Sequence, residues 1–301
     1  MIELQEVRVL AEGLAFPEGP VALPDGSVIL VEMNAGRLSR IHPDHHLTVV
    51  AEVGGGPNGA AIGPDGAVYV CNNGGSSDPS TAGIQRVDIE DGSHRVLYTR
   101  WEDLPLSLPN DIVFDTTGYF WFTDFGNNAI FYASVDGKSI RRVIVGASQP
   151  NGVGLSPEGD VLYWSETNTR QLHRRHLTGP GQIVDSMGYG LRSLLSSGSV
   201  DRWSLVAGLP GASALDSLAV EAGGMVCVGT LIDGGVTVFN TDDGSYELYT
   251  LPPALADGAV TNICFGGPAL RTAYITCSQN GRLLSCRWPR PGLPLAFQEL
   301  P

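Results

Sequence analysis

"LPDGSVILVEMNAGRLSRIHPD", residues 23–44, runs from a turn containing Gly26 through an apolar stretch at 28–31, a polar loop and a second strand-like stretch to another turn. Short runs rich in β-branched residues between Gly, Pro and Asp punctuation read as strands, and hardly any of the chain has helical period. The same unit returns as "GPDGAVYVCNNGG…GIQRVDIEDG" from 63, "DTTGYFWFTDFGNNAIFYASVDG" from 115, "SPEGDVLYWSETNTRQLHRRHL" from 156 and "EAGGMVCVGTLIDGGVTVFNTDDG" from 221. A weaker sixth copy, "GPALRTAYITCSQNGRLLSCRW", starts at 267. Four-stranded units of about 40 to 50 residues repeated six times fit a six-bladed β-propeller around a central channel. The expected fold class is therefore all-β, one domain over residues 1–301 with no linker evident.

Composition narrows the function. With 301 residues and 43% hydrophobic content the chain can bury a large core. Lys+Arg number 18 against 32 Asp+Glu, a net charge of −14, which disfavours nucleic acid and anionic membrane surfaces as partners and favours a small molecule or a cation. No apolar run approaches the roughly 18 residues of a membrane span, and residues 1–12 show neither a basic nor an apolar leader segment. A cytoplasmic location is expected. The five cysteines, Cys71, Cys227, Cys264, Cys277 and Cys286, are odd in number and lack CxxC spacing, so they read as buried small hydrophobes, not as disulfides or a zinc site.

The turn glycines Gly26, Gly66, Gly118, Gly159 and Gly224 set a register. Eight residues before each stands Glu18, Asn58, Asn110, Asn151 or Asp216, and Asn262 takes the corresponding place in the sixth copy with slightly different spacing. A fixed offset means one position on the innermost strand of every blade, so the six side chains should converge on the propeller axis. Asn and Asp near turns often only hydrogen-bond strand ends; a whole set in register favours a ring. Two carboxylates are costly to bury there without a cation. The donors are all hard oxygens, so one divalent ion is expected, Ca²⁺ first, with Mg²⁺, Mn²⁺, Zn²⁺ and Fe²⁺ as alternatives.

"FPEGP" at 16–20, "LPNDIVFDTTGYFWFTD" at 108–124, "QPNGVGLSPEGDVLYWSET" at 149–167, "ALDSLAV" at 214–220 and "VTNICFGGPALRTAYIT" at 260–276 together resemble the gluconolactonase/regucalcin (senescence marker protein) family, which includes diisopropyl-fluorophosphatase-like enzymes. The resemblance spans nearly the whole chain. It implies one divalent ion in the channel and hydrolysis of a lactone, or in some members of an organophosphate. It also implies the metal ligands Glu18, Asn110, Asn151 and Asp216, with Asp216 as general base or nucleophile, and leaves Asn58 and Asn262 as supporting or water-linked residues. Ester hydrolysis fits such a set, since it needs a Lewis acid on the carbonyl oxygen and a base or nucleophile beside it. The six histidines, His42, His45, His46, His94, His173 and His176, lie outside the ring segments, so no Ser-His-Asp triad is indicated. Asp111 and Asp124 read more readily as backbone acceptors than as catalysts. The alternatives are a propeller enzyme of other chemistry, phosphotriester hydrolysis or isomerisation, and a non-catalytic binding propeller.

If each ring residue opens its inner strand, the loops after the second strands and the connectors entering the blades line the mouth. That assigns substrate contacts to Asn72, Asn73, Trp101, Leu106, Leu108, Phe125, Thr167, Leu231 and Gln279. Sugar-lactone members can carry Arg two residues before the third-blade Asn, where this chain has Leu108, which favours an apolar-substituted lactone or ester. The longest interval between turn glycines, from Gly159 to Gly224, contains an insertion at 179–200, expected on the face away from the ring.

Overall fold

Along Val28–Glu32, Val28 and Leu30 face one side and Ile29 and Val31 the other, and all four are buried. Side chains alternate along a strand, so an unbroken apolar run needs cover on both faces. Neighbouring sheets supply it. The computed structural model describes residues 1–75, 81–184 and 205–298 and arranges them as six four-stranded antiparallel blades. Blade 1 pairs Pro17–Ala22, Val28–Glu32, Arg37–Ile41 and Leu47–Glu52 in that order, from the channel outward. Blade 2 has Pro57–Ile62, Val68–Asn72, Gly83–Val87 and His94–Tyr98; blade 3 has Pro109–Phe114, Tyr119–Asp124, Ala129–Ser134 and Ile140–Val145. Blade 4 has Pro150–Leu155, Val161–Glu166, Gln171–Gly179 and Leu205–Gly208; blade 5 has Ala214–Val220, Val226–Leu231, Gly235–Phe239 and Tyr246–Thr250.

Blade 6 is built from both ends of the chain. Val260–Gly266, Thr272–Cys277 and Arg282–Arg287 receive Arg8–Ala11 as their outermost strand, and Ile2–Glu3 adds in parallel to the edge of blade 5. The fourth strand of the sixth blade thus precedes its first in sequence. Inner strands of adjacent blades pack in cyclic order, with Val260–Gly266 against Pro17–Ala22 closing the circle. A separate apolar cluster fills each of the six gaps between blades. Val28 and Leu30 share theirs with Cys264 and Tyr274 of blade 6, whereas Ile29 and Val31 share theirs with Val68 and Val70 of blade 2. Each such buried aliphatic side chain contributes roughly 1.5–3 kcal/mol. The five cysteines are buried and free.

The channel has two different ends. At the turn end, the five register glycines all have left-handed φ, between +71° and +85°. The C-terminal segment crosses the channel there: Leu293 N–H donates to Val220 O, the Gln298 amide to Phe265 O, and the Phe297 ring lies 5.8 Å from that of Phe114. It closes a cavity of about 260 Å³ whose walls include Val21, Ile62, Val153 and Leu155. The start of the insertion is also on this side, where a short hairpin pairs Gln171–Gly179 with Gln182–Ile183. Residues 185–200 of the insertion lie outside the described residues. No helix among the described residues is long and apolar enough to cross a membrane.

Candidate metal centre

Every inner strand slips register at its start; in blades 2, 3, 4 and 5 the slip takes the ring residue out of the pairing, whereas Glu18 stays opposite Val31 just before the slip and Asn262 opposite Thr276 just after it. The pairing jumps between Glu18 and Val21, Pro57 and Ala60, Pro109 and Ile112, Pro150 and Val153, Leu215 and Leu218, and Val260 and Asn262. A bulge frees a residue from the ladder and re-aims its side chain. Four of the six are prepared by proline, which lacks an N–H to pair and fixes φ for the residue before the bulge. Glycine follows the ring residue in blades 1, 2 and 4 because the neighbouring strand is close. A Cβ on Gly152 would come within 2.6 Å of Leu218 N and 2.8 Å of Ser217 Cα.

The ring side chains are out of water. Glu18, Asn58, Asn110, Asn151, Asp216 and Asn262 are all buried, none more than 9% exposed. The bulges leave backbone groups that side chains of the second strands satisfy. Thr123 Oγ1 accepts the Asp111 N–H at 3.0 Å and donates to Asn151 O at 2.5 Å; Ser165 Oγ accepts the Gly152 N–H at 2.8 Å and donates to Asp216 O at 2.6 Å. Each hydroxyl thus ties one blade's bulge to the next blade's ring residue.

Electrostatically the ring lacks a positive charge. Among the described residues neither Glu18 nor Asp216 forms a salt bridge. Burial, reinforced by the charge of Asp216, holds the Glu18 carboxyl well above the usual carboxylate range. Burial pushes Asp216 up to about 7, against the Asn151 amide and the Ser217 N–H, which donates to Oδ1 at 3.0 Å. Asp111, one step inside the channel, is raised to about 7 by burial although its carboxylate accepts the N–H groups of Ile112 at 2.9 Å and Val153 at 3.2 Å. The oxygens Asn58 Oδ1 and Asn110 Oδ1 are buried with no hydrogen-bond donor among the described residues. An orphaned buried carbonyl oxygen is rare and costs about 1–3 kcal/mol. Two such oxygens, in one ring with two buried carboxylates that form no salt bridge among the described residues, are the kind of donors that suit a hard cation. Among the described residues no three His, Cys, Asp or Glu side chains group as a metal site, so the amide oxygens are essential to any site in this ring.

Around the ring the mouth has a repeated rim. In blades 1 to 4 the first residue after the second strand donates its N–H to the residue before that blade's own proline: Met33 to Phe16, Asn73 to Gly56, Phe125 to Leu108 and Thr167 to Gln149. Thr167 Oγ1 also accepts the Asn151 amide at 3.2 Å. Leu108 is 36% exposed, Phe125 and Leu231 are half-buried and Gln279 is exposed. Leu231 bridges Ala259 across the gap to blade 6, and Gln279 stands over Gly258.

Three residues expected at the mouth are placed elsewhere. Asn72 is buried and its amide is consumed by the connector, accepting Gly56 N–H and Gly74 N–H, each at 2.9 Å, and donating to Gly54 O at 2.8 Å. Asp124 does the same work in blade 3, accepting Ser107 N–H and Leu108 N–H at 3.0 Å, as its reading as a backbone acceptor anticipated. Leu106 is 4% exposed within the cluster between blades 2 and 3. Trp101 packs on Phe131, with the Arg142 guanidinium 4.4 Å over its ring, at the outer strands of blade 3. Their nearness in sequence to ring residues reflects the connector's path, not the direction of the side chain. Conversely, Met33 was missed. Its thioether lies 3.8 Å from the Asn58 amide nitrogen and 3.6 Å from that of Asn73.

A family model described as the SMP-30/Gluconolactonase/LRE-like region matches residues 16–279, from the connector of the first ring residue to the rim of the last blade. The chain belongs to this family. Among its curated relatives, a gluconolactonase of Zymomonas mobilis is 25% identical over 91% of this chain and 79% of its own length. The lactonase drp35 of Staphylococcus haemolyticus is 31% identical over 60% of this chain and 57% of its own, so the chain matches little more than half of that relative. Among solved structures, a gluconolactonase from Xanthomonas campestris superposes with a TM-score of 0.74 at 21% identity, covering 95% of this chain and 91% of that one. A regucalcin from Agrobacterium tumefaciens, described as a calcium-binding protein, gives a TM-score of 0.74 at 18% identity, covering 98% and 99%. At these identities the two structures share the fold.

Proposed function

We propose that this family member is a divalent-cation-dependent hydrolase of a lactone or related small ester. The observation that carries the reading is the union, in one ring, of two buried carboxylates without a counter-charge and two buried amide oxygens without a donor. Glu18, Asn110, Asn151 and Asp216 would hold the cation, with Ca²⁺ the first choice for an all-oxygen set. A bound divalent ion supplies Lewis acidity at the substrate carbonyl oxygen. Asp216 then takes the proton of the attacking water as general base, or attacks the carbonyl carbon itself. Thr167, holding the Asn151 amide, and Ser217, donating to Asp216 through its N–H and to Asn151 Oδ1 through its hydroxyl at 3.3 Å, keep these groups in place. The relatives named gluconolactonase and lactonase support the reaction class.

The rim bears on the substrate. Met33, Leu108, Phe125 and Leu231 give it an apolar side, and Asn73, Gln149, Thr167 and Gln279 are uncharged polar groups on it, while the carboxylates of Asp233 and Asp257 at this end are engaged by Ser213 and by the Ala259 and Asn280 N–H groups. Such a rim suits a lactone carrying an apolar substituent better than a polyhydroxylated one. The test is proton release from a panel of sugar, alkyl and aryl lactones, with and without chelator. Turnover that disappears with chelator and returns with Ca²⁺, fastest on the apolar members, is expected. Undiminished turnover in a protein shown by elemental analysis to be metal-free overturns the reading. In addition, Asp216→Asn at saturating Ca²⁺ should lose about 10³-fold or more in kcat, whereas Asn262→Ala, whose Oδ1 already accepts the Ile263 N–H at 2.8 Å, should retain measurable activity.

A further inference from the structure

The six ring positions are equivalent in sequence but not in chemistry. Asn262 Oδ1 is taken by the Ile263 N–H, and Asn151 Oδ1 receives the Ser217 hydroxyl at 3.3 Å. Among the described residues Asn58 Oδ1 and Asn110 Oδ1 have no donor. Asn58 therefore shares the state of Asn110, a ligand by family resemblance, and differs from Asn262, with which the sequence grouped it. The side chain is 7% exposed, too buried for bulk water to satisfy the oxygen.

What turns Asn58 is visible. Its Nδ2 faces the Met33 thioether at 3.8 Å. A thioether sulfur carries no hydrogen, so it can only accept, weakly, and only the NH₂ end of the amide can face it. The reverse orientation would set carbonyl oxygen against sulfur and aim an N–H donor at a cation. Met33 is itself fixed: its N–H donates to Phe16 O at 3.0 Å, and its sulfur is also approached by Asn73 Nδ2 at 3.6 Å. Asn73 in turn is locked by the Gly75 N–H, which donates to its Oδ1 at 2.9 Å.

We infer that Asn58 is a direct oxygen donor to the ring cation and that Met33 is the positioning residue that aims it. This rests on the reading that the ring holds a hard divalent ion. Ca²⁺ takes six to eight oxygens, so a donor from blade 2 still leaves positions for water or substrate.

The test uses Ca²⁺ alone, by calorimetry, and Tb³⁺, whose luminescence lifetimes in H₂O and D₂O count bound waters. Asn58→Ala should weaken Ca²⁺ about tenfold or more and add one water to bound Tb³⁺. Asn58→Asp, which keeps the shape, should tighten Ca²⁺ about tenfold at pH 8, because the new charge faces the ion. Met33→Leu should weaken binding roughly three- to tenfold, and Met33→Gln, which restores an acceptor for Nδ2, should return it to within about twofold of wild type. A wild-type protein that binds no Ca²⁺ overturns the cation reading itself. Wild-type binding with both Asn58 variants within twofold, and no added water in Asn58→Ala, overturns this inference alone. Met33→Leu and Met33→Gln behaving alike removes Met33 from it.

Discussion

At the scale of single residues, the ring gathers buried carboxylates at a cost in stability. Glu18 and Asp216 are held in a site that favours their neutral forms, and Asp111 adds a third buried carboxylate beneath them. Raised folded-state values mean that the cation-free fold binds these protons more tightly than the unfolded chain does. For Asp216 and Asp111 the contribution is therefore fully present below about pH 4, the unfolded carboxylate value, and is lost as pH rises through about 7; Glu18 acts in the same direction. In chelator, the melting temperature should fall between pH 5 and 8. The carboxylates with lowered values, Glu32, Asp25 and Glu166, change protonation below that window and do not offset the fall. Asp216→Asn should flatten the slope and raise the cation-free melting temperature while weakening Ca²⁺ binding, since it removes both the buried charge and the ligand. Scanning fluorimetry over that range checks it, and a cation-free wild type that grows more stable toward pH 8 would refute it. The positions of these residues were legible in the sequence because an offset of eight from a turn glycine is a structural coordinate. Their differing hydrogen-bond states were not, because these depend on neighbours such as Ile263 N–H and Met33 Sδ that the repeat does not encode.

At the scale of elements, the bulge is the device that turns six ordinary inner strands into a converging set. It works only where neighbouring strands approach closely, and Gly152 marks that approach. Gly152→Ala would drive a methyl against Leu218 N and the Ser217 backbone, moving the strand that carries Asp216. A loss of about 2 kcal/mol or more in unfolding free energy is expected, together with weaker Ca²⁺ binding. Ser165→Ala in the same gap leaves Gly152 N–H without its acceptor and Asp216 O without its hydroxyl donor, costing about 1–3 kcal/mol. Denaturant melts with calorimetric binding measure both, and variants that unfold like wild type would show that the ring tolerates slack. The strands were legible because runs such as that of residues 28–31 alternate into two apolar gaps. The blade 6 closure was not, because Arg8–Ala11 pairs with Arg282–Arg287 across almost the whole chain and no local pattern announces it. Leu106 and Trp101 misled for the complementary reason: sequence placed them on the right connector without showing which way a connector side chain turns.

At the scale of the molecule, the ring end and the turn end of the channel are built differently, and the insertion in blade 4 offers a test of whether they act separately. Gln171 pairs with Glu166 beside the ring, and the strand runs from there to Gly179, away from it. The chain leaves the described residues at Val184, whose N–H donates to His176 O, and returns at Leu205, opposite His173, before climbing to Gly208 opposite Gln171. Gly181 O accepts from Arg141 on the outer strand of blade 3 at 2.9 Å, which anchors the departing hairpin at a neighbouring blade's periphery. A long insertion is often an active-site lid, but the described residues on either side of this one, Val184 and Leu205, pair away from the rim formed by Met33, Asn73, Phe125 and Thr167. Replacing residues 185–200 with a short Gly-containing turn should therefore leave Ca²⁺ affinity unchanged and kcat/KM within about threefold, a barrier change below roughly 0.7 kcal/mol. The measurement is steady-state kinetics on the best lactone of the panel, with Ca²⁺ calorimetry on the same preparation. A folded, cation-loaded variant that loses a hundredfold in kcat/KM would mean that the inserted segment reaches the mouth, and that the two ends of the channel are not independent.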